Sequence, residues 1–159
     1  MRIGVMADSH GEVLRTRRAI ELLRNECCDR LIHLGDFETC EVLDELIDLP
    51  VDIVLGNCDS PSLIGGHAAR VGINNHHPAG LLNIDGSQIA FLHGDDQRQF
   101  DSFVADGVPW LLHGHTHCRS NEIVDRTRVV NPGALHRAAI YTVAVIDVAA
   151  GSVQFLDVA

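Results

Sequence analysis

Leu111-Leu112-His113-Gly114-His115-Thr116-His117-Cys118 closes an apolar run that begins at Val108, and its reading decides how the rest of the chain is understood. Residues 108–112 have the composition of a short buried strand. The chain then breaks at Gly114 into two histidines, His115 and His117, one residue apart. Neutral imidazole is the commonest metal ligand, and a short turn leaving a strand holds alternate side chains rigidly. Glycine at position 114 lets the backbone turn sharply and approach a bound ion closely. One His-x-His turn says little alone, but four other strand ends in this chain also finish in metal-ligand residues.

Upstream, Arg2 to Ala7 reads as a first strand that ends in Asp8-Ser9-His10-Gly11. On a strand exit, Asp8 and His10 at i and i+2 are expected to point to one side. Residues 12–27 read as a helix, with Val13, Thr16, Ile20, Leu23 and Cys27 on one face and Arg15, Arg17, Arg18 and Arg24 on a solvated one. A second strand, Arg30 to Leu34, ends in Gly35-Asp36. Thr39 is then expected to cap a helix reaching about Asp48, and Pro50 stops it. Val51 to Leu55 forms a third strand ending in Gly56-Asn57-Cys58-Asp59. Strand and helix alternate here as in parallel βαβ units, whose ligands bind beyond the carboxyl ends of the strands.

Residues 60–80 are turn-rich and suggest no regular element. Leu81–Ile84 and Gln88–Leu92 read as a hairpin about Asp85-Gly86, its second strand ending in His93-Gly94. A short amphipathic helix is expected from Gln97 to Ala105. After Cys118 the pattern turns all-β, with strands at 122–124, 128–130, 140–148 and 152–158 separated by Asn131-Pro132-Gly133 and Ala150-Gly151. These strands are expected to form a hairpin-rich second sheet packed on the parallel one, giving an α/β chain (α+β by some schemes) built as a two-layer β-sandwich flanked by helices. No linker interrupts residues 1–159, so one domain is expected.

Composition narrows the function. The chain has 159 residues, 46% of them hydrophobic, enough to bury a sizeable core. No apolar run reaches the ~18 residues of a membrane helix, and no leader precedes the first strand, so no membrane association and a cytoplasmic location are expected. The net charge is −10 and all twelve basic residues are arginines, which argues against duplex nucleic acid as a partner. Five cysteines without a C-x-x-C pair argue for a reducing compartment.

The strand ends together supply Asp8, His10, Asp36, Asn57, His93, His115 and His117. Mixed imidazole, carboxylate and amide donors suit Mn, Fe, Zn, Ni or Co rather than an all-oxygen Mg or Ca cage. Seven ligands are too many for one ion and fit two if a carboxylate bridges, for which Asp36 is the natural choice. Two ions ~3.5–4 Å apart clamp both oxygens of an in-line phosphoryl displacement.

Asp8-x-His10, Gly35-Asp36, Gly56-Asn57-x-Asp59, His93-Gly94 and Gly114-His115-x-His117 resemble, in order, the motifs of the calcineurin-like metallophosphoesterases, over essentially the whole chain. The length and the Asn131-Pro132-Gly133 turn resemble the small bacterial and archaeal phosphodiesterase branch. The resemblance implies a helix-flanked β-sandwich, two divalent ions with manganese foremost, and hydrolysis of a small phosphodiester by a metal-bridging hydroxide. A phosphomonoester substrate and a catalytically weak interaction scaffold are the alternatives. It assigns Asp8, His10, Asp36 and His117 to one ion and Asp36, Asn57, His93 and His115 to the other, with Asn57, Cys58, Asp59 and His93 forming the catalytic set. A homodimer is also implied, as for many small relatives.

Many relatives carry histidine where this chain has Cys58, which is expected in the site without being a ligand. A thiol is the weaker donor, which favours substrates with good leaving groups. Asp59 is read as orienting a group near Asn57 or as forming a turn. His33 is expected in the core, His113 in packing or in support of a ligand, and His76-His77 in an exposed turn. Asp95, Arg98 and Arg119 follow metal-binding turns and are candidates to grip phosphate. Specificity is expected in residues 60–80 and 94–100.

Overall fold

Both faces of the first strand are covered, which is why it reads as an unbroken apolar run instead of an alternation. The computed structural model describes residues 1–159. Its elements run β1 (Arg2–Met6), α1 (Val13–Asn25), β2 (Arg30–His33), α2 (Cys40–Asp44), β3 (Val51–Ile53), α3 (Gly66–Val71), β4 (Asn74–Asn75), β5 (Ala79–Ile84) and β6 (Ser87–Leu92). They continue with α4 (Gln97–Asp106), β7 (Trp110–Leu112), β8 (Ser120–Val124), β9 (Thr127–Asn131), β10 (Thr142–Asp147) and β11 (Ser152–Asp157).

Two sheets result, in the orders β11-β10-β1-β2-β3-β4 and β5-β6-β7-β9-β8. Ile3, Val5, Ile32 and Leu34 turn toward the second sheet, where they meet Ile89, Phe91, Trp110 and Leu112. Met6, Leu31 and Ile53 pack instead with Ala19, Ile20 and Leu23 of α1 and Val42 and Leu43 of α2. On the far face of the second sheet, Leu92, Leu111 and Val129 are covered by Phe100, Phe103 and Val104 of α4. The order of layers is therefore helices, sheet, sheet, helix. Each fully buried aliphatic side chain contributes about 1.5–3 kcal/mol, so both sheets are fixed by the core between them.

The expected two-layer sandwich is present, but its strands are shared out differently. β10 and β11 do not join the second sheet: β10 pairs antiparallel with β1, Ile3 opposite Ile146, and β11 extends it. β7 lies parallel between β6 and β9 in the second sheet. The apolar character of β10 follows from this central place, with Val143 and Val145 facing the helices and Ala144 and Ile146 facing the second sheet.

Other boundaries also shift. α2 stops at Asp44, and 3₁₀-type bonds from Leu46 to Leu43 and from Ile47 to Asp44 tighten the chain before Asp48 turns left-handed at φ 62°. Thr39 makes no side-chain cap. The stretch expected to be irregular contains a π-turn at Pro61–Gly65, then α3 and the short parallel strand β4. Arg15 does not lie in solvent: its guanidinium sits 3.8 Å over the Tyr141 ring and donates to the Leu135 carbonyl at 2.6 Å, tying α1 to the 132–141 loop.

The exits of β2 and β3 meet backbone to backbone. A Cβ on Gly35 would lie 2.5 Å from the Gly56 nitrogen, and one on Gly56 would lie 2.1 Å from Asp36 Oδ1. Gly66, in contrast, opens α3 with nothing within 4 Å of a Cβ. Gly56→Ala should therefore lower the unfolding free energy by about 3 kcal/mol or more, whereas Gly66→Ala should leave it unchanged or raise it by up to about 1 kcal/mol. Urea midpoints of the two variants test this contrast, and equal midpoints would contradict it.

Candidate metal centre

Every strand end singled out in the sequence opens onto one edge of the sandwich. The side chains are turned inward by left-handed backbone, not by strand alternation. Asp8, His10, Asp36, His115 and His117 have φ of 55°, 41°, 59°, 67° and 59°. A non-glycine residue in this region costs on the order of 1 kcal/mol, and such residues gather where function requires a fixed geometry. The expectation that Asp8 and His10 share a side is met, but by two left-handed residues flanking the buried Ser9.

Two groups of donors form. Asp8, His10 and His117 bring one ligand atom each within 4.8 Å of one another, and so do Asp8, Asp36 and His93. Asn57 Oδ1 lies 3.0 Å from both His93 Nε2 and His115 Nδ1. Asp8 is common to both groups, and Asp36 Oδ2 lies between their histidines, 3.5 Å from His10 Nε2 and 3.5 Å from His93 Nε2. All seven residues picked as ligands thus come together.

Hydrogen bonds on the outer side of the rings fix which nitrogen faces inward. His93 Nδ1 donates to the Leu34 carbonyl at 2.8 Å, leaving the Nε2 lone pair aimed at Asn57 and Asp36. His10 Nδ1 donates to the Glu38 carboxylate at 2.6 Å. Its Nε2 then faces the Nε2 of His117 at 3.3 Å. Burial and the neighbouring His10 hold the His117 imidazole below its usual pKa, in the neutral form that ligates metals. Converging lone pairs repel one another unless a cation sits between them, so the donor set fits divalent metal ions.

The carboxylates carry the same message. Asp8 is fully buried and Asp36 nearly so. Burial, then the negative charge of Asp36, pushes the Asp8 carboxyl up to about 8, against a partly offsetting hydrogen bond from the His115 amide. Cys58 Sγ lies close enough to His10 and Asp36 to share an ion with them. Desolvation and the Asp36 charge push its thiol up to about 11, so in the metal-free chain it is a neutral thiol at neutral pH.

Asp59 faces the backbone rather than the metal cluster. Its carboxylate accepts amide hydrogen bonds from Asp36, Phe37, Glu38 and Gly56 at 2.8–2.9 Å. Both of its oxygens are used in joining the two loops. His33 is a core residue, as expected: Gly35 donates to its Nδ1, so its Nε2–H donates to Ser9 Oγ at 2.7 Å, and burial lowers its pKa to about 3. His76 does not lie free in a turn but pairs with buried Asp52 at 2.8 Å. Arg119 pairs with Asp157 at 3.2 Å.

Sequence reading missed Glu38, the pair His136–Glu12 at 3.1 Å, and Asn131. The His136 ring lies 5.4 Å from that of His10, and Asn131 Nδ2 holds the Gly114 carbonyl at 2.9 Å. Glu38 had a signal, since it follows Asp36 by the same i+2 spacing that links Asp8 to His10. His136 had none, being brought in by a long loop.

Because the folded-state pKa of Asp8 is raised, the metal-free protein keeps this group's full stability only below about pH 4 and loses it progressively up to about pH 8. Asp8→Asn removes that loss. In chelator, the urea midpoint of the variant should rise relative to wild type as pH goes from 5 to 8. A difference that does not change with pH would refute the assignment.

Comparisons with known proteins identify the family. Residues 1–151 match the model of the calcineurin-like phosphoesterase superfamily domain. The chain is 28% identical over 158 residues to phosphodiesterase MJ0936 of Methanocaldococcus jannaschii, covering 92% of this chain and 93% of that protein. The solved structure of an archaeal phosphodiesterase is similar at a TM-score of 0.89 and 26% identity, over 99% of this chain and 100% of that one. The fold alone is shared with zinc-bound Vps29 of Entamoeba histolytica, at a TM-score of 0.67 and 19% identity, over 99% and 98% of the two chains. With its strand ends converging on one set of imidazoles and carboxylates, and its match spanning all but the last eight residues, the chain belongs to the calcineurin-like phosphoesterase superfamily, a family of phosphoric ester hydrolases.

Proposed function

We propose that this chain is a phosphodiesterase that works with two divalent cations on a small phosphodiester. The observation that carries the reading is the convergence of inward-facing ligand atoms, His10 Nε2 with His117 Nε2 at 3.3 Å and His93 Nε2 with Asn57 Oδ1 at 3.0 Å, around two buried carboxylates. Asp8, His10, Asp36 and His117 would hold one ion, and Asp36, Asn57, His93 and His115 the other. Manganese suits this mixed donor set first, with nickel, iron, zinc and cobalt as alternatives. When bound, such a pair supplies an activated water and Lewis-acid stabilisation of charge on phosphate oxygens. The diester preference is supported by the name of the Methanocaldococcus jannaschii relative.

The chain's own residues set the rest of the chemistry. His93, its Nδ1–H committed to Leu34, keeps its Nε2 lone pair fixed toward the ion it would hold. Glu38 performs the same orienting task for His10. Cys58, its amide donating to Asp36 Oδ1 at 2.8 Å, sits at the rim as a neutral thiol and offers little proton donation to a departing alkoxide. Esters of acidic alcohols are therefore the better substrates. Asp59 belongs to the site by position, since it holds the Asp36 and Asn57 loops in register.

Metal-stripped protein given Mn, Ni or Zn should hydrolyse bis-p-nitrophenyl phosphate faster than p-nitrophenyl phosphate, and Asp36→Asn and His115→Ala should each lose at least about a hundredfold. Faster hydrolysis of the monoester would favour a phosphomonoesterase. No turnover with any ion, in protein shown to be folded, would favour the scaffold role instead.

A further inference from the structure

A groove of about 300 Å³ opens beside His117 and is lined by Arg119, Ala138, Ala139, Ile140 and Thr142. His117 belongs to both the groove and the metal cluster, since its Nε2 lies 3.3 Å from His10 Nε2 and 3.5 Å from Asp8 Oδ1. The groove is not among the segments where specificity was expected, residues 60–80 and 94–100. We infer that it seats the ester group that a phosphodiester retains after hydrolysis, and that this group is a single nucleoside. The inference rests on the phosphodiesterase reading and adds its substrate class.

Four observations select this occupant. The wall facing the cluster is small and apolar, and Ile140 is left 55% exposed there, a large aliphatic surface next to a polar site. Such a surface favours a flat, uncharged ring over a sugar or a second phosphate. At the rim, the Arg119 guanidinium is held by Asp157 at 3.2 Å and lies 5.8 Å from the Phe155 ring centre. An exposed guanidinium steadied in this way can stack on a nucleobase. The volume is at the lower end of ligand sites, enough for one base and its sugar and too small for several nucleotides.

The wall is also preformed. Arg15 holds the Leu135 carbonyl at 2.6 Å, and Thr142 Oγ1 donates to the Pro132 carbonyl at 2.7 Å. The loop that carries Ala138 to Ile140 is thereby tied to α1 on one side and closed across its own base on the other. A monoester would leave this surface uncovered, whereas a nucleoside diester would bury it, which accounts structurally for a diester preference.

The test compares thymidine 5′-(p-nitrophenyl) phosphate with methyl p-nitrophenyl phosphate in the Mn-loaded protein. Both esters release p-nitrophenolate, so only the retained group differs. Wild-type kcat/KM should favour the thymidine ester by about tenfold or more. That ratio should fall to about twofold or less in Ala139→Trp, which fills the groove, and by roughly fivefold in Arg119→Ala, mainly through KM. Similar kcat/KM for both esters in wild type, or a ratio unchanged in both variants, would overturn the groove assignment and leave the phosphodiesterase reading standing. No turnover of either ester would remove both.

Discussion

Everything at the active edge of this protein depends on two loops touching without side chains between them. Gly35 and Gly56 let the exits of β2 and β3 approach until their backbones are in contact, closer than any Cβ allows. That approach brings four amides, those of Asp36, Phe37, Glu38 and Gly56, round one point, and Asp59 fills it with a carboxylate. A buried acceptor satisfied by several amides is worth far more than one hydrogen bond, because losing it orphans all the donors at once. Asp36 and Asn57, which stand on opposite sides of this junction, inherit their separation from it.

The same edge is built against local preference. Five of the seven inward-facing donors sit in left-handed backbone, and two carboxylates are buried within reach of each other. Neither arrangement stabilises the fold by itself. Both are sustained by the sandwich beneath, whose two sheets are locked by Ile3, Val5, Ile32, Leu34, Phe91 and Leu112. Outer hydrogen bonds then fix the rings, with Leu34 holding His93 and Glu38 holding His10, so that the donors converge before any ion arrives.

Much of this was legible in the sequence, for a physical reason. Side chains that are to meet at one edge of the sheets must follow strands closely, so the candidate ligands Asp8, Asp36, Asn57, His93 and His115 each mark the end of an apolar run, and the hydrophobic period identifies the run. The βαβ alternation gave β1 to β3 and their helices. Sheet membership of β10 and β11 was not legible, because an apolar strand is compatible with the centre of either sheet. Glu38 was passed over as a loop acid. His136 and the groove beside His117 depend on where a ten-residue loop folds back, which no local pattern encodes, and Arg15 betrays its packing only through Tyr141 and Leu135.

The central claim is that these donors form one paired-cation site bridged by Asp36. Crystals soaked in manganese and measured at its absorption edge test it most directly. The account predicts two anomalous peaks about 3.5–4 Å apart, one beside His10 and His117 and the other beside His93, Asn57 and His115, with Asp36 between them. A single peak, or two peaks that do not share Asp36, would contradict it.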